Sequence, residues 1–190
     1  MAPILVAGLG NPGAEYEDTR HNVGFMVIRE LCRRYRLRLR PGSGEFLAAG
    51  TEIGGAGVML VQPMTYMNNS GLAVIQALER YDAEPRSLLV VVDDLAIPLG
   101  MLRFRAQGSD GGHNGLASII AALRSEQFPR LRCGIGPTSP LPAEEYSAFV
   151  LSPFDENEQE GSTAMIGRAA DGVVEFVTAG LETAMSKYNS

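Results

Sequence analysis

Leu88-Leu89-Val90-Val91-Val92-Asp93-Asp94 is the stretch that decides the fold. Five successive leucine and β-branched residues leave no polar side for solvent, which predicts a strand buried on both faces of a sheet. A sheet buried on both faces needs helices above and below it. Residues 4–9 predict a second buried strand, stopped by the turn signal Gly10-Asn11-Pro12-Gly13. Residues 23–34 predict a helix, with Val23, Val27 and Leu31 at helical spacing and Phe25, Ile28 and Cys32 widening the stripe. Residues 46–49 and 58–62 predict two strands around Gly54-Gly55-Ala56-Gly57, the second stopped by Pro63. Ser70 is expected to cap a helix over 71–80 whose inner side carries Leu72, Ile75 and Leu78.

Residues 101–105 alternate apolar and basic, which predicts a strand with Arg103 and Arg105 on its exposed side. Residues 130–135 alternate too, with Leu131, Cys133 and Ile135 on one face and Arg130 and Arg132 on the other. Between them a helix is expected from Asn114 or the nearby glycines through Leu123, and a last helix over 156–179. Strands alternating with helices give an α/β class. The expected architecture is a three-layer α/β/α sandwich with a mixed, largely parallel twisted sheet, one catalytic domain over residues 1–190. A substrate groove belongs at the C-terminal edge of the parallel strands, where Asn11 and Asp93 both emerge.

The 190 residues are 45% hydrophobic and 20% charged, an ordinary globular balance that excludes a disordered or fibrous chain. No apolar run is long enough to span a bilayer, and the N-terminus lacks a secretory pattern, so a cytoplasmic protein with no membrane partner is expected. Cys32 and Cys133 lie far apart within apolar segments, as buried free thiols would. With two histidines and no cysteine cluster, no structural metal is expected. The net charge of −6 argues against a polyanionic partner only until it is located. Residues 138–190 carry 2 basic and 9 acidic side chains, against 14 and 13 in residues 1–137. Residues 29–40 hold six arginines and one glutamate. Arginine suits rigid ion pairs and phosphate forks alike, so both readings of that run stay open.

Both histidines sit in polar loops beside an amide: Arg20-His21-Asn22 and Gly111-Gly112-His113-Asn114-Gly115. His21 could cap the helix that follows it, or act as a base. An aspartate at the end of a buried strand, such as Asp93, could fix its tautomer and stabilise the imidazolium; Asp94 could serve instead. No serine stands in a nucleophile elbow and neither cysteine in a reactive motif, which leaves water as the attacking species. Gly8-Leu9-Gly10-Asn11-Pro12-Gly13 lacks the spacing of a dinucleotide loop, and there is no phosphate-loop lysine and serine pair, so no nucleotide cofactor is expected. Asn68, Asn69 and Asn114 could read a peptide group or a developing oxyanion, or simply shape turns. Tyr66 and Met67 offer an apolar shelf for a carbon chain or an adenine ring, with Tyr16 completing the wall.

Taken in order, several motifs resemble those of the bacterial peptidyl-tRNA hydrolase family. They are Gly8-Leu9-Gly10-Asn11-Pro12-Gly13-Ala14-Glu15-Tyr16, Thr19-Arg20-His21-Asn22-Val23-Gly24 and Pro63-Met64-Thr65-Tyr66-Met67-Asn68-Asn69-Ser70-Gly71. Asp93-Asp94-Leu95 with Pro98 and Gly100, Gly111-Gly112-His113-Asn114-Gly115-Leu116 and Arg130-Leu131-Arg132-Cys133-Gly134-Ile135-Gly136 complete the set. The resemblance implies a cytoplasmic, monomeric, cofactor- and metal-independent esterase with no obligate protein partner. It would free tRNA from N-blocked peptides after stalled translation by cutting the ester to the terminal ribose, engaging the acceptor stem and 3′ end. On matching positions His21 would be the base, Asp93 its orienting partner, and Asn11 the sensor of the blocked α-amino group. Tyr16, Tyr66, Asn68 and Asn114 would hold substrate, with Met67 lining the groove and His113 supporting Asn114. Arg103, Arg105 and Arg132 would meet tRNA phosphates. Two departures stand out: Ala96, where the family often has an acid, and Ala143-Glu144-Glu145-Tyr146, where it has a basic residue near the lid. The second weakens one expected phosphate contact. A non-catalytic RNA-binding relative is the alternative.

Overall fold

The computed structural model describes residues 2–189. Seven strands form one sheet in the order β2-β3-β4-β1-β5-β7-β6. The strands are β1 (Ile4–Gly8), β2 (Arg40–Pro41), β3 (Phe46–Ile53), β4 (Ala56–Pro63), β5 (Leu88–Pro98), β6 (Leu102–Arg105) and β7 (Arg130–Gly136). β4, β1, β5 and β7 run parallel, and β2, β3 and β6 are joined by antiparallel pairing at the two edges. The helices are α1 (Val23–Arg34), α2 (Ser70–Arg80), α3 (Asn114–Leu123), α4 (Tyr146–Val150), α5 (Gln159–Ala179) and α6 (Leu181–Tyr188). The expected three-layer sandwich is the observed one.

Successive strand side chains point to opposite faces, and here each face has its own core. Val6, Leu89, Val91 and Leu131 pack with α1 and α5 through Val27, Ile28, Leu31, Ala169 and Val173. Leu5, Ala7, Leu88, Val90 and Val92 pack with α2 and α3 through Ala73, Val74, Ala77, Leu116 and Ile119. Cys32 and Cys133 are free and buried, and burial pushes both thiols up. α1 crosses β1 at backbone contact: a Cβ on Gly24 would stand 2.5 Å from the carbonyl oxygens of Leu9 and Val91. That approach draws the turn holding His21 onto the ends of β1 and β5.

Four local expectations are corrected. Ser70 is the first residue of α2, not its cap; Asn69 holds the cap position and the Ser70 hydroxyl donates to the Met67 carbonyl at 2.7 Å. Leu72 points outward, 52% exposed, and the inner side of α2 is Ala73, Val74, Ala77 and Leu78. The helix expected over 156–179 does end at Ala179 but is not the last: past Gly180, where φ of +86 suits glycine, α6 packs on β6. Arg130, read with Arg132 on the polar face of its strand, is fully buried. Its guanidinium donates to the carbonyls of Gly108, Ser109, Glu126 and Phe128 and stacks 4.2 Å from the Phe128 ring. Burial lowers its pKa to about 10, which leaves it charged at neutral pH. It therefore fastens the loop that leads to His113.

Candidate active site

The cleft opens where β1 and β5 end, as their parallel direction requires, with a volume of about 770 Å³. Asn11, His21, Asp93 and His113 stand at its floor; Tyr66, Met67, Asn68 and Asn114 line one side. The other wall is α4 and its flanks, through Tyr146, Val150 and Leu151.

Asp93 is the hub. It ends the run of alternating side chains on β5, on the face turned toward α1, and is 3% exposed. Its Oδ1 lies 2.9 Å from His21 Nδ1 and 2.9 Å from His113 Nε2, with Oδ2 3.0 Å from His21 Nδ1. Burial alone would raise its pKa, but the two imidazoles facing it prevail and hold the carboxyl well below the usual carboxylate range. The other nitrogen of His113 settles that ring's tautomer. Nδ1 accepts from the backbone N–H groups of Gly115 at 3.1 Å and Leu116 at 3.3 Å, capping α3. His113 therefore carries its proton on Nε2 and donates it to Asp93. The carboxylate in turn fixes the His21 proton on Nδ1, leaving Nε2 as a lone-pair acceptor on the cleft side.

His21, Asp93 and His113 offer three donor atoms within 4.8 Å of one another, a grouping that could in principle hold a metal ion. Those donor atoms are already engaged in the hydrogen bonds above, and the remaining His113 nitrogen serves the backbone. A cation there would have to displace the protons that order the cluster, so the residues do not fit a resident metal.

Asn11 is 8% exposed and held on three sides. Its backbone N–H donates to Asn22 Oδ1 at 2.8 Å, and its carbonyl accepts from Asn22 Nδ2 at 2.9 Å. Its side-chain Oδ1 accepts from Met67 N–H at 2.7 Å. With the oxygen so engaged, Nδ2 is the group Asn11 offers to the cleft. Asn22 stands out in sequence as the amide beside His21, but its role, holding the backbone of Asn11 across 11 positions, shows only in the structure.

The remaining expected residues divide. Asn68 and Asn114 line the cleft; Asn69 does not. Tyr16 does not line it either, but meets Tyr66 edge-on at 6.4 Å and props that ring, which is 55% exposed. His113 supports Asp93, where the expectation had it supporting Asn114. Arg103, Arg105 and Arg132 gather with Asp94 around an adjoining hollow of about 260 Å³. Arg132 also lines the cleft, and it is committed at 3.1 Å to Asp94 and at 3.0 Å to the Ser109 carbonyl. Ala96 lines the cleft, while Glu144 and Glu145 are exposed in the turn leading into α4.

Arg20 went unremarked in sequence and is 2% exposed. Its guanidinium donates to Ser152 Oγ at 2.6 Å, the Pro153 carbonyl at 2.5 Å and Glu158 Oε2 at 2.5 Å, and stacks 4.2 Å from the Phe149 ring. The backbone of Arg20 also donates to the Ser152 carbonyl at 3.0 Å. The residue before His21 thus clamps the segment that carries the α4 wall.

A family model described as peptidyl-tRNA hydrolase matches residues 5–190. A peptidyl-tRNA hydrolase of Prosthecochloris aestuarii is 47% identical over 186 residues, 98% of this chain and 96% of that protein. One from Aquifex aeolicus is 46% identical over 190 residues, covering 97% and 95%. A crystal structure of peptidyl-tRNA hydrolase from Acinetobacter baumannii is 36% identical with a TM-score of 0.92, covering all of this chain and 95% of that one. A uridine phosphorylase from Vibrio fischeri, 10% identical with a TM-score of 0.52, shares the fold alone.

Proposed function

The chain belongs to the peptidyl-tRNA hydrolase family, and we propose how its cleft hydrolyses the ester of N-blocked peptidyl-tRNA. The observation that carries the reading is the wiring of His21: Nδ1 is held by Asp93, so Nε2 faces the cleft as a proton acceptor. A water beside Nε2 gives up its proton as its oxygen attacks the ester carbonyl carbon. The imidazolium so formed is stabilised by the buried Asp93 carboxylate. When the tetrahedral intermediate collapses, the carbon–oxygen bond to the terminal ribose breaks, and the proton passes from His21 to the departing ribose oxygen. The products are the peptide's carboxylate and a free tRNA 3′ end.

Asn68 and Asn114, on the cleft wall, supply amide donors for the oxyanion and the ribose. Asn11 presents Nδ2, a donor that suits the amide carbonyl of a blocked α-amino group; a free ammonium offers it no acceptor. Tyr66 and Met67 give the apolar shelf for a side chain or the terminal adenine, and Tyr16 steadies Tyr66. His113 acts on Asp93. Arg103, Arg105 and Arg132 meet phosphates of the acceptor stem beside the cleft. Residues 1–190 work as one catalytic domain, a monomer without an obligate protein partner. Among the described residues no helix is long and apolar enough to cross a membrane, which agrees with a cytoplasmic enzyme of translation and ribosome rescue.

The test is release of N-acyl-amino acid from an N-acyl-aminoacyl-tRNA, with a free-amino aminoacyl-tRNA as comparison. His21→Ala is expected to lose roughly 10²–10⁴-fold in kcat with little loss of tRNA binding. Tight binding without product by the unaltered protein would point to an RNA-binding module. Wild-type turnover by His21→Ala would end the base assignment, and inhibition by a chelator would restore a metal mechanism.

A further inference from the structure

The arginine run at 29–40 splits into two chemically different halves. On α1 the charges are already answered: Arg29 pairs with Glu17, Arg33 with Glu30, and Arg34 with Glu30 and Asp171. Glu30, between two guanidiniums, is lowered to about 2 by the hydrogen bond from Arg33, working against desolvation and joined by Arg34. Past the end of α1 the pattern changes. Arg36, in the left-handed turn at φ +55, begins a stretch in which Arg36, Arg38 and Arg40 are exposed while Leu37 and Leu39 pack toward the core. Among the described residues no carboxylate lies within ion-pair reach of these three.

That row runs into β2, the outermost strand, where Arg40 faces Ala48 of β3. Arg38 and Arg40, two residues apart on the run into β2, stand roughly 6.6 Å from one another if extended, a spacing that suits successive phosphates along a nucleic-acid strand; Arg36 precedes them at the turn. The hollow of Arg103, Arg105 and Arg132 belongs to β6 and β7 at the opposite edge. Six strand intervals separate β2 from β6, roughly 29 Å, with the cleft at β1 and β5 between them. In an otherwise acidic protein, the one run of unanswered charge at this edge is complementary to a polyanion too large for the cleft.

We propose that Arg36, Arg38 and Arg40 form a second RNA-binding edge, which engages the ribose-phosphate backbone of the tRNA body away from its 3′ end. The inference rests on the reading of the substrate as a tRNA ester. It assigns the row no part in the chemistry. The edge raises the affinity of whole tRNA and leaves the reaction of a short ester untouched. The competing account is edge protection, in which charges on an outer strand only deter pairing with another sheet.

Binding of deacylated tRNA, followed by fluorescence anisotropy across a salt series, tests this without reference to catalysis. The triple variant Arg36→Gln, Arg38→Gln, Arg40→Gln is expected to bind more weakly, by about tenfold or more. Its log–log salt slope should be shallower by roughly 2, since each phosphate contact contributes about 0.7–0.9. The all-lysine triple variant keeps the charge and should keep most of the slope. Removing three exposed arginines elsewhere (Arg80, Arg86 and Arg124 to Gln) controls for net charge and should leave the slope near wild type. Hydrolysis adds a second readout: the glutamine variant should lose kcat/KM on full-length N-acyl-aminoacyl-tRNA and retain it on the same ester of the trinucleotide CCA. Unchanged affinity and slope in the glutamine variant would overturn the second edge, as would an equal loss in the net-charge control. If the unaltered protein cleaves neither ester, the hydrolase reading fails instead, and the anisotropy series still decides whether this edge binds RNA.

Discussion

Asp93 and His113 are joined by a 2.9 Å hydrogen bond from Nε2 to Oδ1, and the far side of the same ring caps helix α3. The imidazole bridges the helix N-terminus and the carboxylate that aligns His21. His113→Ala is therefore expected to cost about 1 kcal/mol of stability from the lost cap, seen in urea denaturation. It should also lower kcat about tenfold, since Asp93 loses a charge-assisted donor worth about 1.5–3 kcal/mol, while KM stays close to wild type. A raised KM with unchanged kcat would make His113 a reader of substrate after all.

The lowered pKa of Asp93 has a definite sign. A carboxyl whose folded-state pKa is depressed contributes its full stabilisation above the ordinary value near 4, and loses it only as pH falls through the lower native value. Across the acid limb of activity Asp93 stays ionised, so kcat/KM should fall with a log–log slope of one, from protonation of a single base. A slope of two would show carboxylate and imidazole titrating together. Asp93→Asn offers one oxygen and an unwanted donor to two histidines, and should reduce kcat by up to roughly 10⁴-fold.

Arg105 and Arg132 share one hollow but should not behave alike. Arg105→Ala removes a partly exposed charge bonded, among the described residues, only to its neighbouring carbonyl, that of Phe104. It should flatten the salt dependence of kcat/KM by about 0.7–0.9 and leave thermal stability unchanged. Arg132→Ala also breaks the pairing with Asp94 and the tie to Ser109. It should add a stability loss of about 1 kcal/mol. Unchanged salt slopes in both variants would remove this hollow from the tRNA surface.

The Arg20 clamp predicts a coupled loss. Arg20→Met keeps much of the bulk but leaves Glu158, Ser152 and the Pro153 carbonyl without their donor, at a cost of about 3 kcal/mol. Because the clamped segment carries the α4 wall, KM for the N-acyl-aminoacyl ester should rise as well. Denaturant melts and steady-state kinetics on one preparation check both; wild-type values in each would show that the segment is held by its other contacts.

Large apolar residues made the frame legible. The helix over 23–34 has the expected bounds because valine, leucine, isoleucine and phenylalanine mark its inner stripe. The strand at Leu88 could be placed for the same reason, though it continues past Asp93 to Pro98 through an irregularity opposite β7. Where the signal is small or charged, the sequence misleads. α2 packs through alanines, which carry little hydrophobic contrast, so the larger Leu72 and Ile75 drew the inner face the wrong way. Arg130 and Arg20 are buried because backbone carbonyls from distant loops converge on them, and no local pattern announces such partners. In the site, His21, Asp93, Asn11, Asn68 and Asn114 were legible as polar residues at the ends of apolar runs. The roles of His113, Asn22 and Tyr16 depend on pairings across 20, 11 and 50 positions of chain.

The seclusion of the two sulfhydryls gives this scaffold a practical property. Cys32 and Cys133 are both closed to solvent, and burial disfavours the reactive thiolate in each. Against maleimide dyes or spin labels the native chain is close to a blank. A single cysteine introduced on an exposed position of the α4 wall, such as Ser147, would then carry the only reporter in the molecule, and the surroundings of that wall could be followed in real time as substrate binds, without first stripping the protein of its own sulfur.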